Sequence, residues 1–219
     1  NCYGVAEGTV AFILATIKKL NQRDAAVKSG GWRDPDLMGQ YLGRRTTDDY
    51  PGLTLGLIGL GRIGARVAQL FAPWRMRIIA CDPYIDDERF IRNGVEKVDM
   101  DTLLAESDII SMHCVSTKET SKLMDAEKFA KMKPSAIFVN TSRGANVDEA
   151  ALADALENDV IAAAAIDARR AGEGESGGGG CACSFSSSPV DRAHHSSRGK
   201  RRMSDEEERK EAIRGRTPL

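Results

Sequence analysis

Between residues 53 and 166 short apolar runs alternate with helical segments, and several of the runs are apolar at every position rather than at every second one. A strand with one wet face alternates apolar and polar side chains. A continuously apolar strand has no wet face, which is the condition inside a parallel sheet covered by helices on both sides. The spacing predicts strands at 53–58, 77–81, 95–98, 108–114, 136–140 and 161–166. Helices are predicted between them at 63–71, 87–92, 102–106, 126–132 and 149–156. Such strict alternation excludes an all-α or all-β fold and leaves a doubly wound α/β sheet.

The flanks read differently. Residues 5–20 (VAEGTVAFILATIKKL) place apolar side chains at helical spacing and end in Lys18 and Lys19, which suit a helix C-terminus, so one long, mostly buried helix is expected. Residues 28–52 collect Gly30, Gly31, Pro35, Gly39, Gly43, Pro51 and Gly52, the composition of a surface connection. After Asp167 the pattern stops. Residues 169–219 hold 11 side chains of the AVILMFWYC set in 51 positions, against 42% for the whole chain, too few to offset the entropy of ordering a backbone. We expect one domain at 1–168 and a low-complexity, disordered tail at 169–219, with a solvated helix at 204–214.

Charge and cysteine usage remove several classes of function. With 31 basic and 32 acidic residues the net charge is -1, so no global field attracts nucleic acid or an anionic membrane. No apolar run approaches the roughly 18 residues of a membrane span, and a leader pattern is missing at the start. Five scattered cysteines, Cys2, Cys81, Cys114, Cys181 and Cys183, form no disulfide framework and suit a reducing cytoplasm. The chain opens on Asn1 rather than Met, as a processed chain or a fragment does.

Gly59, Gly61 and Gly64 form GLGRIG directly after the first strand and at the mouth of the next helix. The first glycine permits the tight turn, the second lets backbone approach a pyrophosphate, and the third lets helix and strand pack closely. Asp82 ends the second strand 18 residues after Gly64, near the spacing at which an acid receives ribose hydroxyls. An acid there repels a 2′-phosphate. The expected cofactor is therefore NAD rather than NADP, on a Rossmann-type doubly wound parallel sheet.

A second constellation, Asn140-Thr141-Ser142-Arg143-Gly144, ends a later strand just before Asp148, a candidate helix cap. Loops beyond the carboxyl ends of strands are where open α/β sheets bind ligands. Arg143 offers a planar fork for a carboxylate, although spacing alone allows equally a surface arginine that caps a helix or pairs with Glu149.

These motifs stand together with Val5-Ala6-Glu7 at the head of the long helix, Asp82-Pro83-Tyr84, Met132-Lys133-Pro134, NTSRGANVDEAAL at 140–152 and a strand ending AAID at 167. The set resembles the nucleotide-binding domain of the D-isomer-specific 2-hydroxyacid dehydrogenases, the group that includes phosphoglycerate dehydrogenase. The resemblance implies that Arg62 and Ile63 give backbone amides to the pyrophosphate and that Asp82 holds the adenosine ribose. It implies that His113 and Val115 lie along the cofactor, that Thr120, Thr141 and Ser142 line the same cleft, and that Asp167 holds the nicotinamide amide. Arg143 would bind the substrate carboxylate and carbonyl, as the catalytic residue among these. The first helix would help two domains pair, and its apolar breadth here exceeds what one buried face needs, so a homodimer is expected.

The chain also departs from that family. Its usual His-x-Pro reads His113-Cys114-Val115 here, and His113 is read as a loop residue rather than a base. The family's substrate domain precedes the long helix, and an acid-base Glu and His follow the last strand, where Ala168-Arg169-Arg170-Ala171-Gly172 stands instead. Glu173 and His195 lie 30 and 52 residues after Arg143, at similar separations but with flanks that do not match. A general base must be held within about 3 Å of its proton, so a solvated tail histidine is the favoured reading of His195. Cys181, Cys183, His194 and His195 are zinc-type donors without apolar support, and no metal is expected. Lys200-Arg201-Arg202 reads as solvated charge.

Two functions follow. The first is the NAD-binding domain of a D-2-hydroxyacid dehydrogenase, an oxidoreductase acting on the CH-OH group of a small 2-hydroxy acid with NAD as acceptor. The second is a catalytically inactive NAD-binding and dimerisation module left by truncation or by a frameshift after Asp167. For the chain as written, with its base not held in place, little or no turnover is expected.

Overall fold

In the computed structural model, which describes residues 2–32, 34–167 and 184–187, the continuously apolar runs become six parallel strands. They are β1 (Thr54–Ile58), β2 (Arg77–Cys81), β3 (Glu96–Lys97), β4 (Ile109–Met112), β5 (Ile137–Asn140) and β6 (Ala163–Ile166). Their order across the sheet is β3-β2-β1-β4-β5-β6, the Rossmann arrangement in which the chain winds away from β1 first one way and then the other. The helices are α1 (Cys2–Ile17), α2 (Leu20–Lys28), α3 (Arg62–Phe71), α4 (Asp87–Arg92), α5 (Met100–Glu106), α6 (Ala126–Ala130) and α7 (Glu149–Glu157).

Successive side chains of the central strands enter opposite faces, and both faces are dry. Leu55, Leu57, Ile109, Ile137 and Val139 pack on one side with Ala6 and Ile13 of α1 and Val67, Ala68 and Phe71 of α3. Ile58, Ile110, Met112 and Phe138 pack on the other with Leu103 and Leu104 of α5, Phe129 of α6 and Leu152 of α7. This two-sided burial is the physical cause of the unbroken apolar text. Four helices begin at an aspartate whose carboxylate accepts from a first-turn amide: Asp86 for α4, Asp99 for α5, Asp125 for α6 and Asp148 for α7. Such caps contribute about 1 kcal/mol each.

Two expectations are corrected. The helix expected over 5–20 stops at Ile17; Lys19 takes a left-handed conformation (φ 50), and α2 follows from Leu20. None of the α2 side chains is buried, so no apolar stripe announces it. The connection over Gly39 lies so close to Lys18 that a Cβ there would strike its backbone, and the Lys18 ammonium donates to the Gln40 carbonyl. The expected surface connection is pinned besides by buried Leu37 and Leu42.

The second correction falls in the tail. Within the stretch expected to be disordered, β7 (Ser184–Ser187) pairs antiparallel with β6, from Ala163↔Ser187 to Ile166↔Ser184. The edge of β6 supplies backbone partners that composition does not encode. The rest of 169–219, including the helix expected at 204–214, lies outside the described residues.

One buried polar contact ties the chain's beginning to its core. The Thr9 hydroxyl of α1 donates to the Val5 carbonyl at 2.8 Å, so the Thr141 hydroxyl, 2.8 Å away and 132 residues on, donates to Thr9. Thr9→Val leaves the Thr141 hydroxyl buried without an acceptor and is expected to cost about 1–3 kcal/mol in urea denaturation. The double variant with Thr141→Val is expected to recover most of that loss.

Candidate functional site

The carboxyl ends of β1, β4 and β5 lie side by side, and the loops that leave them bound a crevice at the point where the strand order reverses. At its centre is the turn from β1 into α3. Gly59 takes a φ of +97, and its amide donates to the Cys81 carbonyl at 3.0 Å, which bends the chain over the end of β2. A Cβ on Gly64 would penetrate the Gly59 carbonyl, so only glycine lets α3 come this close to the turn. A Cβ on Gly61 would meet nothing within 4 Å, so its face borders open space.

Gly61 is also the N-cap of α3 and has no side chain to cap with, unlike the four aspartate-capped helices. The first intrahelical bond is Ala65 N–H to the Gly61 carbonyl at 3.0 Å, so the amides of Arg62, Ile63 and Gly64 precede the helical ladder. A helix N-terminus with free amides beneath an open glycine is an anion cradle.

Asp82 closes one side of this cradle. Its Oδ2 accepts from Leu60 N–H at 2.8 Å and its Oδ1 from Tyr84 N–H at 3.0 Å, and each oxygen retains a lone pair for a ligand hydroxyl. Arg89 of α4 donates from Nε to the Leu60 carbonyl at 2.9 Å, so buried Leu60 is held from both directions. Arg89 stands in a surface helix of ordinary composition, and no signal in the sequence points to it.

Beyond β4, His113 bonds through Nε2 to the Ser111 hydroxyl at 2.9 Å, while Nδ1 is buried with no partner. Burial lowers its pKa to about 4, so the ring is neutral at physiological pH. Burial also pushes the Cys114 thiol up to about 11, with the Asp82 carboxylate adding to the effect. Val115 is 73% exposed. The Thr120 hydroxyl donates to the Val115 carbonyl at 2.6 Å and receives the Thr117 amide at 2.7 Å, which fastens this loop to itself.

Beyond β5, Asn140 organises the second loop. Its Oδ1 accepts from the Ser142 amide (2.9 Å) and hydroxyl (2.8 Å), and its Nδ2 donates to the Arg143 carbonyl at 3.1 Å. Arg143 is exposed, in extended backbone, with one guanidinium nitrogen on the Ser142 carbonyl at 2.8 Å. Asp148 is held by its helix cap and by Lys122, not by Arg143. Thr141 turns its hydroxyl toward α1, while Asp167 follows β6 with its amide on the Asn140 carbonyl at 3.0 Å. Buried Asn146, which lies within the 140–152 motif but is given no role there, reaches both loops.

Residues 10–173 match the family model of the D-isomer specific 2-hydroxyacid dehydrogenases, NAD binding domain. The chain belongs to this family. It is 43% identical over 167 residues to the D-3-phosphoglycerate dehydrogenase of Archaeoglobus fulgidus, covering 76% of this chain and 30% of that protein. It is 41% identical over 168 residues to the glyoxylate reductase of Thermofilum pendens, covering 74% of this chain and 47% of the other. A solved D-lactate dehydrogenase with NAD+ from Lactobacillus jensenii superposes with a TM-score of 0.68 at 34% identity, over 77% of this chain and 48% of that one. The chain thus spans under half the length of these relatives.

The NAD-binding domain of a D-2-hydroxyacid dehydrogenase needs a turn into which a pyrophosphate fits, and the open face of Gly61 over the α3 amides meets that need. Nothing in these likenesses favours an inactive remnant. No described helix is long and apolar enough to cross a membrane. Glu173, Cys181, Cys183, His194, His195 and the basic run at 200–202 lie outside the described residues.

His113 gives the site a pH signature. Unfolded, its imidazole takes a proton below about pH 6.5; folded, it resists until about 4. The unfolded chain therefore binds more protons in this window, and stability falls as pH drops, by up to about 1.4 kcal/mol per pH unit for this group. Denaturant melts at pH 6.5 and pH 5 should show this slope, and His113→Asn should flatten it.

Proposed function

We propose that this chain forms the cofactor side of an oxidoreductase that acts on the CH-OH group of a small 2-hydroxy acid, with NAD as acceptor. The observation that carries the reading is the uncapped glycine turn with Asp82 beside it, on the same sheet edge as Arg143. The backbone of Arg62 and Ile63 holds the pyrophosphate, Gly59, Gly61 and Gly64 give it room, and Asp82 accepts from the adenosine ribose. His113, Val115 and Thr120 form one wall, Thr141 and Ser142 form the other through backbone fixed by Asn140, and Asp167 receives the nicotinamide amide. NAD, when bound, supplies the hydride acceptor.

Arg143 orients the substrate carboxylate and polarises its carbonyl through a planar pair of donors. The proton released from the alcohol needs another group. A guanidinium cannot accept it, and His113, neutral with its Nδ1 buried, resists protonation until about pH 4. We place the base outside the described residues. We also propose that the chain acts in the cytoplasm, consistent with the free thiols of Cys2, Cys81 and Cys114, and that a second copy covers α1, where Val10, Phe12 and Leu14 are only partly buried.

Calorimetry is expected to show NAD binding at least about tenfold more tightly than NADP, because the Asp82 carboxylate accepts from hydroxyls and opposes a phosphate. Asp82→Ala should weaken NAD and narrow that ratio. Equal affinities in the unsubstituted chain would remove Asp82 from the ribose site.

For Arg143 the expected readout is quenching of bound NADH fluorescence by oxamate, a 2-oxo acid mimic. Arg143→Gln should weaken oxamate about 10- to 100-fold while NADH affinity changes little, as loss of a charge-assisted pair implies. Oxamate binding that ignores this substitution would count against the assignment.

A further inference from the structure

Asn146 is fully buried on a short turn (Gly144–Asn146) at the base of the Arg143 loop. Its carboxamide nitrogen faces the Cys114 carbonyl at 3.3 Å, the Cys114 sulfur at 3.5 Å and the Ser142 hydroxyl at 3.3 Å. One side chain thus joins the loop beyond β4 to the loop beyond β5. Its backbone amide donates to the Arg143 carbonyl at 3.2 Å, the same oxygen that Asn140 Nδ2 holds, and its own carbonyl receives the Met124 amide at 3.1 Å. Arg143 therefore stands on a platform of which Asn146 is one support and Asn140 the other.

The carboxamide is costly in this position. Its three contacts are long, and Oδ1 is buried with no donor. Exchanging oxygen and nitrogen would only move the deficit to the other end of the group. An apolar side chain of the same volume would remove the unmet Oδ1 but leave the Cys114 carbonyl without its donor, so one deficit replaces another and stability alone gives little reason for an amide here. What the amide adds is a polar link between two loops.

We propose that Asn146 is a positioning residue that couples the cofactor-facing backbone at 113–115 to the Arg143 turn, so that seating the cofactor against the first loop also steadies the guanidinium on the second. This rests on the reading of the crevice as the seat of NAD. Asn146 touches neither cofactor nor substrate; it acts through Cys114 and Ser142.

The test is hydrogen exchange read by mass spectrometry on the full chain, with and without NAD, for the unsubstituted protein, Asn146→Leu and Ser142→Ala. In the unsubstituted protein NAD should slow exchange in peptides spanning both 113–123 and 140–147. In Asn146→Leu it should still protect 113–123 but no longer 140–147, with NAD affinity lowered about fivefold and the melting temperature unchanged or raised. A residue that served structure alone would lower the melting temperature and would not uncouple the two segments. Ser142→Ala, which removes the Asn146 acceptor together with the Ser142 hydroxyl's bond to Asn140, should show the same uncoupling and covers the case in which the leucine variant does not fold. Protection of both segments in both variants would overturn the proposal. No protection at 113–123 in the unsubstituted protein would instead overturn the NAD reading on which it rests.

Discussion

The close approach of α3 to the β1 turn sets the rest of the site. Gly64 has no Cβ, so the helix lies against the Gly59 carbonyl, and Gly59 can turn there because it accepts a φ of +97. With that contact go the uncapped N-terminus of α3, the burial of Leu60, and the reach of the Leu60 amide to Asp82. The turn hangs from β1, which lies between β2 and β4 and is buried along most of its length. A rigid central strand thus carries the most sterically demanding loop, and an added methyl at Gly64 has no direction in which to relax.

Charge is graded along the crevice. The α3 amides and Arg143 favour anions, while the Asp82 carboxylate accepts from donors and opposes a phosphate. In the loop beyond β4 the His113 ring and the Cys114 thiol are both neutral at physiological pH, because burial keeps the one deprotonated and the other protonated. Two neutral groups there leave the fixed dipoles and the two end charges to set the field, since neither group titrates near pH 7.

The loops differ in how they are held. The glycine turn is fixed by backbone geometry and by Asp82 and Arg89 from outside. The loop beyond β4 is fastened to itself through Thr117 and Thr120, and the loop beyond β5 through Asn140 and Ser142. Self-contained loops of this kind keep their shape while moving as units, which makes a side chain that joins them, such as Asn146, a point of leverage.

The sheet and the glycine turn were legible in the residues alone because both rest on local rules. Two-sided burial writes itself as unbroken apolar runs, a helix start as an aspartate before an acidic turn, and a tight turn as glycine. Arg143 and Asp82 could be placed at strand ends by the same rules; spacing also points Asp82 to a ribose, whereas for Arg143 it leaves a surface role equally open until the resemblance is drawn. Tertiary structure decided the remainder. The break at Lys18–Lys19 depends on the passage of the Gly39 segment, the pairing of Ser184–Ser187 on a vacant edge of β6, and the turn of Thr141 toward Thr9 on a contact 132 residues distant. Neither Arg89 nor Asn146 stands out by residue type, since an arginine in a surface helix and an asparagine in a strand-end loop look ordinary until folding brings Leu60 and Cys114 beside them. Local preference fixes which residues turn, cap and pair along a strand; which distant groups meet is set by packing, and a linear sequence holds no term for it.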